Sequence, residues 1–140
     1  MAYSQDLKNS ARRHLRSATE LASLASAGAQ PPCGAVAGYL YGIAGELALK
    51  EMMRQAGIRP LDEKEKRSDP YFAHFPELQT LLTDSLSGRN TSRIQQAVAK
   101  QLFQNWNTKM RYAPTNEIGI TQIQRWKRDA ETIMDKMENP

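Results

Sequence analysis

Residues 34–50 read GAVAGYLYGIAGELALK, and this stretch decides the fold. Ala35, Val36, Ala37, Tyr39, Leu40, Ile43, Ala44, Leu47 and Ala48 leave almost no polar side on a helical projection. A helix that is apolar nearly all round has to be covered on every side, so the stretch predicts a central helix. Pro31-Pro32 before it suits a helix start and Gly57 after it a helix end, which sets the expected element at about 32–56. Gly34, Gly38 and Gly42 fall four apart and form a small-residue stripe. Each interior glycine costs on the order of 1 kcal/mol relative to alanine. Close approach of another helix backbone would offset that cost. A membrane span is the wrong reading of this window, because residues 34–49 include four glycines and Glu46 and fall short of the roughly 20 residues a crossing needs.

Working outward, Ser4 to about Ala27 reads as an amphipathic helix. Leu7, Ala11, Leu15, Ala18, Leu21, Ala22 and Ala25 recur at helical steps, with Ser4 as the expected cap and Asp6 at the positive dipole end. Lys8, Arg12, Arg13 and Arg16 lie off this stripe and read as a solvated face, with a nucleic-acid patch as the other reading. Residues 58–73 are charged and carry two prolines, which predicts a long surface loop with one helical turn near Leu61–Lys66. Phe75-Pro76-Glu77-Leu78 opens a short helix to about Ser85, with Leu78, Leu81 and Leu82 inward. Gly88-Arg89-Asn90-Thr91 reads as a turn with Asn90 or Thr91 as cap. Ile94, Val98, Leu102 and Trp106 then step by four, predicting a helix over about 92–109 that Pro114 stops. Thr121 is the expected cap of a last helix to about Met137, with Ile123, Trp126, Ala130, Ile133, Met134 and Met137 on its inner face. No segment alternates like a strand. The expected architecture is all-α: one domain over residues 1–140, an antiparallel four-helix bundle with an additional short helix.

Composition bounds the function. The formal charge of +4 and pI near 9.3 tolerate a polyanionic partner without demanding one, and the Lys and Arg residues are spread over both halves. A single cysteine, Cys33, allows no internal disulfide, and two histidines with one cysteine argue against a structural metal site. No cofactor motif is present, and no basic segment leads into a long apolar run, so the expectation is a soluble, cytoplasmic protein.

Three short motifs carry a resemblance. Ala37-Gly38-Tyr39, Gly42, Glu46 and Leu49-Lys50 form the first; His74 with Leu78 and Leu81 the second; Trp106 followed by Met110-Arg111-Tyr112 the third. In this order and spacing, over about residues 5–138, they resemble the HEPN domains, small helical nucleotide-binding domains. The resemblance implies a four-helix bundle, often a homodimer. In many members it implies metal-independent RNA cleavage by an Arg, then four to six intervening residues, then a His. It also implies, for some members, a nucleotidyltransferase-type protein partner in a toxin–antitoxin or defence system.

Arg111 meets the first half of that motif, since a guanidinium grips a phosphate through a planar fork of donors. The positions that should hold His carry Asn116, Glu117 and Ile118 instead. An amide does not exchange protons near neutrality, and an exposed Glu is mostly ionised. The leading expectation is therefore a non-catalytic protein that binds RNA, a nucleotide or a protein partner through Arg111, Tyr112, Asn116, Glu46 and Lys50. The alternatives are a ribonuclease with a departed site, in which His74 or Glu117 replaces the missing His, and a helical scaffold with no nucleic-acid role. His74 and His14 also have plain readings as capping or packing residues. Glu46, on an apolar helix, needs a partner, and Lys50 one turn on or Arg111 from the later junction are the expected ones.

Overall fold

The computed structural model describes residues 3–85, 92–99 and 101–140, and their regular structure is entirely helical. Five α-helices follow one another: α1 (Leu7–Ser26), α2 (Gly34–Gln55), α3 (Glu77–Ser85), α4 (Ser92–Ala97) and α5 (Ile120–Glu138). The all-α bundle expected from the periodicity is the observed class. None of these helices is long and apolar enough to cross a membrane.

The long helix α2 is the axis of the bundle. Ala37, Tyr41, Ala44, Ala48 and Leu49 along it are fully buried. Gly34 approaches Ala25 near the end of α1, and Tyr41 donates to Thr19 at 3.2 Å, so α1 runs antiparallel to α2. Gly34 and Gly38 also meet Ile123 and Trp126 at the start of α5, so α5 runs parallel to α2. At the far end Arg12 makes a two-pronged contact with Glu138 at 2.6 and 2.7 Å, joining the start of α1 to the end of α5. This pair is exposed and adds little stability, but it fixes the antiparallel pairing.

The inner stripe of α5 is buried at every expected position, from Ile123 to Met137. Its start differs from expectation: Gly119 is the N-cap and Thr121 lies inside the helix. In α1 the cap is Asp6 rather than Ser4, because the Asp6 carboxylate accepts from the Asn9 backbone N–H at 3.2 Å and from the Asn9 side chain at 2.8 Å. The 58–73 segment is a surface connection, tightened by two 3-10 turns at Glu63–Ser68 and Pro70–Phe72. Asp69 holds it closed, accepting from the backbone N–H of Leu61 and Tyr71 at 2.9 and 3.0 Å. The turn expected at Gly88–Thr91, with its caps, falls outside the described residues.

The expected helix over 92–109 is not continuous. Helix α4 ends at Ala97, and Phe103 and Asn105 take left-handed φ values of 55° and 65°. Competing partners for the backbone explain the break. The buried Asp129 carboxylate of α5 takes the Phe103 N–H at 2.9 Å, Gln79 of α3 donates to both Ala99 and Leu102 carbonyls at 3.1 Å, and the Trp126 indole donates to the Gln104 carbonyl at 3.0 Å. Side chains of two elements, α3 and α5, have replaced the i→i−4 ladder.

The small-residue stripe likewise has a different occupant from the one expected. Side chains, not a helix backbone, lie against it: Ile123 and Ala25 at Gly34, and aromatic rings further along. The Trp106 ring covers Gly42, where a Cβ would fall 1.9 Å from the ring, and its N–H donates to the Gly38 carbonyl at 3.1 Å. Trp126 covers Gly38 and Phe103 covers Gly45. Trp106 and Trp126, assigned to the core on sequence, are 1 % and 2 % exposed. Gly42→Ala should therefore unfold at clearly lower urea concentration, losing about 3 kcal/mol through overpacking, although alanine is the better helix former. Gly38→Ala, whose Cβ would stand 2.9 Å from Trp126, should lose less; wild-type stability in Gly42→Ala would contradict the packing.

Candidate functional site

The chain after the break carries the second half of the aromatic cluster to the surface. Asn107 accepts from the Lys109 backbone N–H at 2.9 Å and starts a 3-10 turn, Thr108–Tyr112, whose Met110 is buried against α2. The next two positions then point outward. Arg111 folds back so that its Nε donates to the Thr108 carbonyl at 3.0 Å. Its guanidinium lies over two rings, 5.7 Å from the centroid of Tyr39 and 5.2 Å from that of Tyr112. Tyr39 in turn stacks on Trp106 at 5.7 Å with planes 12° apart. A column of Trp106, Tyr39 and Arg111 thus runs from the core to solvent, and Tyr112, 80 % exposed, flanks it. No ion pair involves Arg111 among the described residues. The groove beside it, with a volume of about 320 Å³, is walled by Val36, Tyr39, Met110, Arg111 and Thr115.

Glu46 stands on the same helix as Tyr39 and is 2 % exposed. Its expected partners are not its partners: neither Lys50 nor Arg111 makes an ion pair with it. Instead Oε1 meets His74 Nδ1 at 2.8 Å, and Oε2 accepts the Phe75 backbone N–H at 2.7 Å. The pairing spans 28 residues of sequence and is made possible because Phe75 packs on Phe103 and Trp106, drawing the start of α3 down onto α2. With Nδ1 turned to the carboxylate, the outer nitrogen of His74 is the one open to a ligand; the ring is 53 % exposed.

The hydrogen bond to Glu46 raises the proton affinity of His74 above the ordinary imidazole value, against desolvation and against the positive charges of Lys50 and Arg111. His74 does not line the groove beside Arg111. Lys50 is buried, 8 % exposed, and desolvation lowers its pKa. It lies on the wall of a different cleft from that of Arg111.

The remaining sequence candidates are less engaged. Asn116 and Glu117 sit exposed in the 3-10 turn Thr115–Glu117, and no described hydrogen bond or ion pair links them to Arg111. His14 is half-buried with Nδ1 2.7 Å from the Ser10 carbonyl, in keeping with its packing reading. Arg13 contacts Ser10 and Arg12 contacts Asn9 and Glu138, as a solvated face would. Two features of the site escaped the sequence. Tyr39 entered only as an apolar motif residue, and nothing in its local sequence separates it from the buried Tyr41 two positions on. The His74–Glu46 contact had no local signal at all.

No known protein family, curated protein or solved structure matches the chain. The resemblance to HEPN domains rests on the residues quoted above.

Because the folded-state pKa of His74 lies above its unfolded value of about 6.5, its stabilising contribution is full at pH below that value and lost as pH rises through the folded one. Replacing Glu46 with the isosteric Gln should lower the His74 titration midpoint, as read from its imidazole NMR resonances. A midpoint identical in wild type and Glu46→Gln would show that the contact does not govern the ring.

Proposed function

We propose that the protein binds the phosphodiester backbone of single-stranded RNA on the face formed by Arg111, Tyr39, Tyr112 and His74. The single observation that supports this reading is the Arg111 guanidinium, held over two tyrosine rings and in no ion pair among the described residues. A cation so placed is pre-organised for a phosphate oxygen, and the exposed Tyr112 ring offers a stacking surface for an unpaired base. The absent histidine after Arg111 and the idle positions of Asn116 and Glu117 favour binding over the cleavage known for many HEPN domains. Arg111→Ala should weaken a fluorescein-labelled RNA oligomer by about tenfold, equivalent to about 1.4 kcal/mol, and anisotropy should show affinity falling with salt. RNA binding that is unaltered in Arg111→Ala, or absent from wild type, would end this proposal.

The His74–Glu46 contact favours a second reading, a metal-independent endoribonuclease. In it the outer nitrogen of His74 takes the proton of a 2′-hydroxyl. The 2′-oxygen attacks phosphorus, the bond from phosphorus to the 5′-oxygen breaks to leave a 2′,3′-cyclic phosphate, and the departing 5′-oxygen takes up the proton that His74 now carries, while Arg111 stabilises the developing charge. Under this reading wild type cleaves a mixed RNA pool in EDTA, and His74→Ala leaves it intact even at protein concentrations that saturate its RNA binding. Intact RNA at high wild-type concentration leaves the binding reading alone.

A further inference from the structure

Lys50 is a second feature that the RNA-binding face does not use. Its side chain lies on α2, 8 % exposed, and its ammonium makes no hydrogen bond and no ion pair among the described residues. The two carboxylates whose charge reaches it are both engaged elsewhere, Glu46 by His74 and the Phe75 N–H, Asp69 by the Leu61 and Tyr71 N–H groups. A buried ammonium normally has an acceptor from the interior; no buried side-chain nitrogen among the described residues lacks a partner, so the Lys50 ammonium itself reaches solvent although its stem is buried. Here the side chain opens instead onto a cleft of about 470 Å³ between the end of α2, the start of α1 and the connection after α2. Ile58, Tyr71 and Phe72 form apolar walls, while Arg54 and Arg59 stand at the rim. Arg54 is held by Glu51 at 2.6 and 2.8 Å, but Arg59 makes no ion pair among the described residues. Lys66, 4.6 Å from the centre of the Phe72 ring, adds a third cation at the edge. The surroundings are those of a small-molecule site: apolar walls, a volume suited to a compact ligand, and one convergent charge at depth.

We infer that this cleft binds a small organic anion, its apolar body between Ile58, Tyr71 and Phe72 and its acidic group on the Lys50 ammonium. The acid is a carboxylate or a phosphate monoester; both present anionic oxygens to the amine. Desolvation already depresses the proton affinity of Lys50, and a bound anion restores it.

The test uses the whole protein and 8-anilino-1-naphthalenesulfonate as a fluorescent aromatic anion. Wild type should give a saturable, blue-shifted signal. 3-Phenylpropionate should displace it if the natural ligand is a carboxylate, and phenyl phosphate if it is a phosphate. Lys50→Met, which keeps length and removes the charge, should weaken the probe by at least about tenfold with a thermal midpoint no lower than wild type. In wild type the displacing anion should shift the backbone amide resonances of Ile58 and Phe72 and leave that of Thr115 in place, a readout that does not depend on the variant folding. Arg111→Ala should bind the probe normally, so failure of the RNA proposal and failure of this one are separable. Displacement by neither anion, equal probe affinity in Lys50→Met, or amide shifts elsewhere would overturn the assignment.

Discussion

The structure depends on one contact, the Trp106 indole lying flat in the notch that Gly42 leaves on α2. A side chain at Gly42 would occupy the same space as the ring. Because the notch is open, the indole N–H reaches the Gly38 carbonyl, which already sits within a helical ladder and has a second lone pair to offer. Burying an indole of this size contributes on the order of 3–5 kcal/mol by the usual truncation measure. That gain offsets the conformational cost of several glycines in a helix interior. It also sets the geometry of everything that touches the ring. Tyr39 stacks on one side, Phe75 meets its edge and Phe103 stacks on Phe75.

Both Arg111 and the His74–Glu46 pair hang from that cluster. Through Tyr39 it supports Arg111, whose backbone turn lies just past the tryptophan. Through Phe75 it brings the start of α3 to Glu46, so that one buried carboxylate accepts from a backbone N–H and from His74 together. A carboxylate this deep is tolerable because each oxygen has a donor. Lys50, one turn along the same helix, has no such arrangement, and its charge faces a cleft instead. The two groups sit four residues apart in the order that favours a helical ion pair, yet the stronger demand of Phe75 and His74 on Glu46 prevails.

The parts of the molecule that were legible in sequence share one property: their pattern repeats over several turns. The stripes of α1, α2 and α5 each place apolar residues at helical steps over about 20 residues; that of α5 is buried throughout, whereas α1 fully buries only Ala11 and Ala18 of its stripe and α2, expected to be covered on every side, leaves Val36 exposed. The core roles of Trp106 and Trp126 followed from the same steps. The segment after Ala97 also showed such steps at Val98, Leu102 and Trp106, and there the pattern misled. All three positions do face the interior, but Asp129, Gln79 and Trp126 satisfy the backbone groups that a helix would have used.

The sequence by itself determined a small all-α bundle around a nearly apolar, glycine-notched helix, and it drew attention to Arg111 and to an unpartnered Glu46. It did so because helical periodicity and the cost of burying charge are local properties, written within a few turns of chain. Only the tertiary structure decided which aromatic ring fills each notch, that His74 rather than Lys50 or Arg111 meets Glu46, and that Lys50 opens onto a separate cleft. Those outcomes are competitions between groups far apart in sequence for the same donor, acceptor or volume. They are settled by which arrangement satisfies the most buried partners at once.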